Sequence, residues 1–414
     1  MRRRALLVVA AAGAYAAHRR VFGIEQRACW PPPPDAVTPE EAQAATEAFA
    51  GTQANDAALP FAWSTAATLE PWAEGTNFFP RIFADVEAAR SSVHILMFGW
   101  REGKIGMRMA ELLERKLAAG VEVRVIVDNM GSKPHGAAKE MYSALAQAGA
   151  QIEVHDFRDN PGRVDHRKLY VIDGAVAWTG GAGIEDHFED GRFHDVMVRV
   201  TGDVVRQAQA AFLTSFRGHG GTLPADLAHL FPAPADAGTT PAVLAQVIPG
   251  GFVAAPDALR EQIEGARERL DVMNPYFTDR DMVERILAAA RRGVRVRVVV
   301  SAASNNGMAT AALKHRYSEL REAGAQLWEM PNTVVHAKVV VADDTVSFGT
   351  VNLDAWALYR NSEIMILAHS AELAALFEER LFEPDIARCA AGVAPSAPAD
   401  RAKSWLADKI TYYL

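Results

Sequence analysis

The chain has 414 residues, of which 50% are hydrophobic and 23% charged, a balance typical of a folded protein with two domains or two fused lobes. Its formal net charge of −8 argues against a protein that holds nucleic acid by bulk positive charge. The two cysteines, Cys29 and Cys389, exclude a disulfide framework and lie near opposite ends of the chain.

Residues 1–24 form an N-terminal hydrophobic segment, in which arginines at both ends flank an apolar run at 5–17. A helix of that run spans about 20 Å, short of the roughly 30 Å hydrocarbon core of a bilayer. We predict a short membrane anchor; a cleaved signal peptide and an incidental hydrophobic terminus are the alternatives. Residues 25–74, rich in Pro and then in Ala, are predicted to be a spacer.

Helical and strand-like segments alternate after this spacer. The sequence FFPRIFADVEAARSSVHILMF at 78–98 indicates a helix and then a strand, and GVEVRVIV at 120–127 indicates another strand. The latter is echoed by GVRVRVVV at 293–300, and AGAQIEV at 148–154 is echoed by AGAQLWE at 323–329. Landmarks in the same order at nearly one offset predict an internal duplication.

The duplication divides the chain into two similar lobes, at 75–217 and 243–385. The connector at 218–242 is rich in Gly, Ala, Pro and Thr. Each lobe is predicted to be of the α/β class, with a mostly parallel central sheet flanked by helices. The C-terminal tail, 386–414, ends in aromatic residues that suit a membrane interface, with a terminal helix docked on the body as the alternative.

The pattern His-x-Lys-x-x-x-x-Asp occurs once in each lobe. Its members are His166, Lys168 and Asp173 in the first lobe and His336, Lys338 and Asp343 in the second. On an extended strand, residues two apart point to the same face, so each histidine is expected to project beside its lysine. Two half-sites imply one shared active site. The aspartates precede turns and are expected to brace the hairpins rather than to act as acid or base.

Two facing histidines, each with a lysine, suit phosphodiester chemistry without a metal. One neutral imidazole attacks phosphorus, the other donates a proton to the departing alkoxide, and the lysines neutralise the phosphate oxygens. Each ring needs an acceptor on its second nitrogen, and the candidates are Asp195 and Glu363, 29 and 27 residues beyond the histidine of the same lobe. The candidate phosphate-binding residues are Gly180, Gly181, Gly349, Thr350 and Asn352.

A second polar cluster follows the first motif. It consists of Glu185, Asp186, His187, Asp190 and His194. The carboxylates are loosely spaced and match no established ligand pattern, so we interpret the cluster as a solvated acidic loop. No metal and no cofactor are expected.

With these motifs the chain resembles the phospholipase D superfamily, and within it the bacterial cardiolipin synthases. GTNFF at 75–79, DNMGS at 128–132, TGG at 179–181, NPYF at 274–277 and the GTVNLD that contains Asn352 strengthen the resemblance. It implies two lobes around a single cleft, a phosphohistidine intermediate and transfer of a phosphatidyl group from one phosphatidylglycerol to another. The implied partners are phospholipids and a bacterial cell membrane; no nucleic acid is expected.

One residue departs from the family pattern, because Gly183 stands where the family usually has an asparagine. The first half thereby lacks one donor to phosphate, worth about 2–3 kcal/mol by analogy with other oxyanion donors. Two alternatives stay open: a phospholipase D-type hydrolase or nuclease, and a catalytically silent lipid-binding protein.

Overall fold

The computed structural model describes residues 63–410 except for 134–136, 161, 235–237 and 250–252. The predicted N-terminal hydrophobic segment and most of the predicted spacer lie outside the described residues. Within the described part, none of the helices is long and apolar enough to cross a membrane.

The first half of the described chain contains eight strands and five helices. In chain order they are β1 Ser64–Ala73, α1 Gly75–Ala88, β2 Ser92–Met97, α2 Lys104–Ala118, β3 Glu122–Asp128, α3 Ala137–Gln147, β4 Gln151–His155, β5 Lys168–Ile172, β6 Val176–Gly180, α4 Asp186–Glu189, β7 Phe193–His194, β8 Val196–Gly202 and α5 Val204–Gly218. A 3-10 turn, Ala228–Leu230, follows in the connector.

The second half repeats this order and adds a C-terminal extension. Its elements are β9 Thr240–Val247, α6 Ala255–Gly265, β10 Arg269–Met273, α7 Arg280–Arg291, β11 Arg295–Ser301, α8 Gly307–Glu322, β12 Gln326–Met330, β13 Val334–Val335, β14 Val339–Ala342, β15 Thr345–Gly349, α9 Ala355–Tyr359, β16 Glu363–His369, α10 Ala371–Phe377, a π-helical turn Glu378–Phe382, α11 Glu383–Arg388, β17 Ala390–Ala391 and α12 Pro398–Ile410. Four of its described helices have side-chain caps: at the starts of α7, α8, α9 and α10, backbone amides donate to Asp279, Asn306, Asp354 and Ser370.

One continuous sheet of 15 strands runs through both halves, in the order β17-β12-β11-β10-β14-β15-β16-β9-β1-β8-β6-β5-β2-β3-β4. Strands β9 and β1 pair at the centre, so the order on one side of this junction mirrors the order on the other. A second, two-stranded sheet joins β7 of the first half to β13 of the second. The predicted duplication is therefore visible in the topology, and backbone hydrogen bonds join the halves.

The α/β class is confirmed, but the prediction of a mostly parallel sheet is wrong. Within the described strands of the large sheet, parallel pairing is confined to β2-β3-β4 and β10-β11-β12, where helices make the crossovers. The remaining pairs are antiparallel because each motif strand turns back through a tight hairpin, β5 into β6 and β14 into β15.

The predicted spacer extends too far. Residues Ser64–Ala73 within it form β1, a central strand that pairs with β8 and β9. Its alternating burial places Ala67 and Leu69 in the core. The first lobe therefore begins at β1 rather than at residue 75.

The hydrophobic core also extends across the β9–β1 junction. One buried cluster, around Phe78, Leu113 and Trp178, belongs to the first half. The other extends without interruption from Phe212 in α5 to Leu287 in α7, so that the two halves share apolar core. The C-terminal helix α12 docks on α8, and Asp408 forms an ion pair with Arg316, which favours the docked-helix alternative for the tail.

Candidate active site

The two motif lysines lie at the start of matching strands. Strand β5 begins at Lys168, and Lys338 immediately precedes β14. The histidines lie just before these strands, which corrects the expectation that histidine and lysine share a regular strand. Their backbone amides are bound across the molecule instead: His166 donates to Ser362 O at 2.9 Å, and His336 donates to His194 O at 2.8 Å.

Each motif histidine is paired with a carboxylate from the other half of the chain. Nδ1 of His166 lies 3.0 Å from Oε1 of Glu363, and Nδ1 of His336 lies 2.7 Å from Oδ2 of Asp195. Both acceptors chosen from the sequence thus contact a motif histidine, but each contacts the histidine of the other half rather than that of its own half. Both carboxylates are fully buried, so the pairs are shielded from water.

The two half-sites converge at one place. A Cβ at Gly181, from the first motif, would lie 2.8 Å from the backbone oxygen of His336 in the second. The charge of Lys338 lowers the pKa of His166, and the charge of Lys168 lowers the pKa of His336. Residues of the two motifs therefore lie together in one place, as a shared active site requires.

The lysines are buried beside the histidines. Nζ of Lys168 donates to His166 O at 2.6 Å and lies 4.9 Å from the ring centre of Phe98. Nζ of Lys338 lies 2.9 Å from Nδ1 of His336. Burial lowers the pKa of Lys168 to about 8 and that of Lys338 to about 7, because an ammonium loses hydration there. Both are placed to gain charge stabilisation when an anionic phosphate enters.

The histidines and their carboxylates respond differently to burial. Burial, followed by the charge of the lysines, lowers the pKa of His336 to about 3 and places that of His166 well below its ordinary value. Burial raises the pKa of Glu363 to about 8. For Asp195 burial acts in the same direction, but the hydrogen bond and charge of His336 outweigh it and the pKa is lowered. The free site thus holds neutral imidazoles, one beside an ionised carboxylate.

The glycines predicted to approach phosphate are also needed for backbone packing. A Cβ at Gly180 would lie 2.0 Å from Val196 O, and one at Gly181 would lie 2.5 Å from Oδ1 of Asp195. Gly349, with φ of 152°, lies against Ile364 O. Close packing of the strand that carries each carboxylate therefore explains these glycines without a ligand.

Thr350 and Asn352 play unequal parts. The buried Thr350 hydroxyl donates to Oε2 of Glu363 at 2.5 Å and accepts from the amide of Ile364, so it orients the carboxylate rather than a phosphate. Asn352 is buried and its Oδ1 lacks a hydrogen-bond partner among the described residues. The unpaired Oδ1 is an acceptor and would not bind a phosphate oxygen, so a phosphate-binding role for Asn352 would rest on its Nδ2 donor alone.

Glu185 is a residue that the sequence did not place in the site. Its carboxyl Oε2 would lie 3.0 Å from a Cβ at Gly183, so it occupies space beside the position where the family has asparagine. Its Oε1 lies 3.1 Å from Nε of Arg101, and burial raises its pKa. A signal was available, because Glu185 follows Gly183 by two residues and shares its side of an extended segment.

The motif aspartates lie at the far ends of the hairpins. Asp173, at φ 54°, accepts the backbone amides of Arg90, Ser91 and Ser92. Asp343, at φ 48°, accepts those of the corresponding residues 267–269. The structural interpretation of both aspartates agrees with these contacts: they join the motif hairpin to the start of the neighbouring strand.

The interpretation of the polar cluster as a solvated loop is wrong for three of its members, one of which is Glu185, only 12% exposed. His194 is buried between Glu74 and Asp385, at 2.8 and 2.7 Å, and these carboxylates raise its pKa to about 10 against the effect of burial. Asp186 accepts the amides of Lys104 and Ile105 at the start of α2. These side chains hold separate elements together.

Proteins of known family resemble this chain over both halves of the site. The family described as cardiolipin synthase, phospholipase D-like domain, matches residues 82–214 and 259–384. A cardiolipin synthase of Listeria monocytogenes is 28% identical over 339 residues, which are 76% of this chain and 68% of that protein. The major cardiolipin synthase of Bacillus subtilis is 26% identical over 324 residues, 73% of this chain and 65% of that protein.

A solved structure shares the fold. The crystal structure of phosphatidylserine synthase from Haemophilus influenzae superposes with a TM-score of 0.64 at 13% identity, covering 90% of this chain and 100% of that one. At this identity the likeness speaks for the fold alone. The matched family segments include both motif histidines, both lysines and both buried carboxylates.

Proposed function

The chain belongs to the cardiolipin synthase family of phospholipase D-like domains, and from this premise we propose that it joins two phosphatidylglycerol molecules into cardiolipin and glycerol. As a member of this family it is an enzyme of phosphatidyltransferase type. The observation that carries the finer proposal is the crossed pairing, in which each buried histidine is bonded through Nδ1 to a carboxylate of the other half. Nε2 is then the ring nitrogen on which the reaction would occur, and that of His336 lies 3.2 Å from Nζ of Lys338.

The first step forms a phosphohistidine. The Nε2 of one histidine attacks the phosphorus of phosphatidylglycerol, and the bond from phosphorus to the glycerol oxygen breaks. The other histidine is neutral in the free site, takes up a proton as the anionic phosphate binds, and gives that proton to the glycerol oxygen. In the second step a hydroxyl of another phosphatidylglycerol returns a proton to this histidine, and its oxygen displaces the first histidine from phosphorus. Protons and bonds balance, and either histidine can take either role.

The carboxylates and lysines support this cycle. Asp195 and Glu363 fix the ring orientation and stabilise the positive charge that each imidazole gains in turn. Lys168 and Lys338, buried with lowered pKa values, become fully cationic against the anionic phosphate and offset the charge that develops on its oxygens. The Asn352 amide would add a further donor to phosphate through its nitrogen.

Both lipid substrates reside in a bilayer, so the proposal includes membrane association. The hydrophobic run at 5–17, flanked by arginines, is the candidate anchor. Removal of residues 1–24 is expected to shift the protein from membrane to soluble fractions.

The test uses the full chain with mixed micelles of phosphatidylglycerol, and product analysis by mass spectrometry. We expect cardiolipin and glycerol from the wild type, and no product from His166→Ala or His336→Ala. His369→Ala, an exposed histidine at the end of β16, is the matched control and should retain activity.

Two results would contradict the proposal. Phosphatidic acid as the sole lipid product would identify a hydrolase, and equal turnover by wild type and both motif variants would remove the histidines from the reaction. Labelled phosphate recovered on a histidine after acid-free quenching would support the intermediate.

A further inference from the structure

We propose that His155, Asp165 and His219 form a site for one Zn²⁺ ion, separate from the reacting groups and supporting the segment that carries His166. The three ligand atoms lie within 4.8 Å of one another, and none of the three residues belongs to the repeated motifs. This proposal does not depend on which lipid the enzyme uses.

The three residues come from separate parts of the first half. His155 ends β4, Asp165 directly precedes the motif histidine, and His219 follows the last residue of α5. The first two are buried and His219 is partly buried. A bound ion would therefore fasten a sheet strand, a helix end and the catalytic segment to one another.

The hydrogen bonds of the two imidazoles fix their tautomers. Nε2 of His155 lies 3.3 Å from Arg163 O, and Nδ1 of His219 lies 2.7 Å from Ser215 O. Carbonyl oxygens only accept, so these ring nitrogens carry the protons. A histidine that donates one N–H to a backbone carbonyl is held in the form that ligates a metal through its other nitrogen.

The remaining ring nitrogens face each other. Nδ1 of His155 and Nε2 of His219 are 3.0 Å apart, and in the tautomers just described each presents a lone pair. Two lone pairs at this distance repel unless a positive charge lies between or beside them. A metal ion bound by both nitrogens removes the repulsion and uses the geometry as it stands.

Asp165 supplies an anionic third ligand. The Arg167 guanidinium donates to its Oδ1 at 2.8 Å and to its Oδ2 at 2.6 Å, and the Arg167 amide donates to Oδ1 at 3.4 Å, which leaves a lone pair on Oδ2 for a metal. Asp128 lies close by and accepts from the amide of Asp165 at 2.8 Å. Two carboxylates against one guanidinium leave the pocket with a net negative charge when the imidazoles are neutral.

This ligand set selects the ion. Two imidazole nitrogens and one carboxylate oxygen suit Zn²⁺, with water as the fourth ligand, and do not suit Ca²⁺ or Mg²⁺, which prefer oxygen. The competing arrangement is a single proton shared by the two rings. Only the first arrangement requires that each chain bind one equivalent of Zn²⁺.

The test uses the full chain, stripped with chelator and then titrated with Zn²⁺ at neutral pH against a chromophoric zinc indicator. We expect one tight equivalent in the wild type, lost in His155→Ala and in His219→Ala, and kept in the exposed control His369→Ala. Co²⁺ substitution is expected to give the visible absorption of a four-coordinate site in the wild type and in His369→Ala, but not in the variants of His155 and His219. His155→Gln, closer in size, keeps the test valid if the alanine variants fail to fold.

The readouts decide the proposal without an activity assay. Loss of the tight equivalent in the folded His155→Gln variant supports it, as does a zinc-dependent rise in melting temperature that His219→Ala lacks. Absence of a tight equivalent in the wild type, or unchanged zinc affinity in the histidine variants, overturns it and leaves the shared proton as the explanation.

Discussion

Replacement of Asp195 by asparagine tests the crossed pairing directly. The carboxylate is buried, with Oδ1 accepting the amide of Val196 at 2.7 Å and Oδ2 facing Nδ1 of His336 at 2.7 Å. Asparagine has the same shape and keeps the Val196 contact, but it presents a neutral group to the ring. The amide then turns its NH2 group, a donor, toward Nδ1, so the change removes both the charge and the acceptor of the ring proton.

The expected loss follows from the kind of bond removed. A hydrogen bond to a charged group contributes about 1.5–3 kcal/mol. At about 1.4 kcal/mol for each factor of ten, the turnover of Asp195→Asn should fall by about 10- to 150-fold, with a smaller change in KM. Glu363→Gln is the matched variant, and its effect should act through His166.

Activity alone does not reveal which histidine is affected, so the assay includes proton NMR of the ring N–H groups. His336→Ala and His166→Ala assign the two carboxylate-bonded Nδ1–H signals. Asp195→Asn should remove or shift the His336 signal and leave the His166 signal in place, and Glu363→Gln should do the reverse. A response of the His166 signal to Asp195→Asn, or turnover within twofold of the wild type, would refute the crossed assignment.

Three further predictions concern stability and the site. Lys338→Met should abolish turnover yet raise the free energy of unfolding. Burial lowers the pKa of Lys338 in the folded chain to about 7, so between pH 7 and about 10 the unfolded chain binds a proton that the native chain does not. The stability gained from Met, measured by urea titration, should therefore shrink as pH rises through that window. Asp173→Ala should cost about 1–3 kcal/mol of stability by urea unfolding while turnover per folded molecule is kept, whereas an equal fall in turnover would contradict its structural role. Gly183→Asn should lower the melting temperature without raising activity, because its Cβ would lie 2.6 Å from Gly99 O. The control is Gly218→Asn, at a position where a Cβ meets nothing within 4 Å and φ is ordinary.

The sequence predicted those parts of the fold whose signals are local. The repeated motif identified both histidines and both lysines, and the apolar runs after them identified the hairpins β5-β6 and β14-β15. The strand β1 was missed because STAATLEPWA has few large apolar residues and a proline, so its burial depends on the neighbours β8 and β9. Tertiary pairing determines such a strand, and periodicity does not reveal it.

The carboxylates show a different limit. The position of Asp195 and Glu363 after the two motifs identified them as partners for the histidines. The sequence spacing does not say whether each carboxylate pairs with the histidine of its own half or of the other half. The choice depends on how the two lobes meet, which the central β9–β1 junction and the β7–β13 pairing establish. Tertiary packing also explains two other misassigned residues. Thr350 was assigned to phosphate although it bonds to Glu363, and Glu185 was assigned to a solvated loop although it packs beside Gly183.

The crossed pairing makes each half of the duplicated chain incomplete by itself. A half expressed alone retains its histidine and lysine but loses the carboxylate that orients the ring. Selection on this enzyme therefore acts between the copies rather than within them: a change at residue 195 must be accommodated by the second copy, and a change at residue 363 by the first. The two copies are therefore expected to change together at these positions.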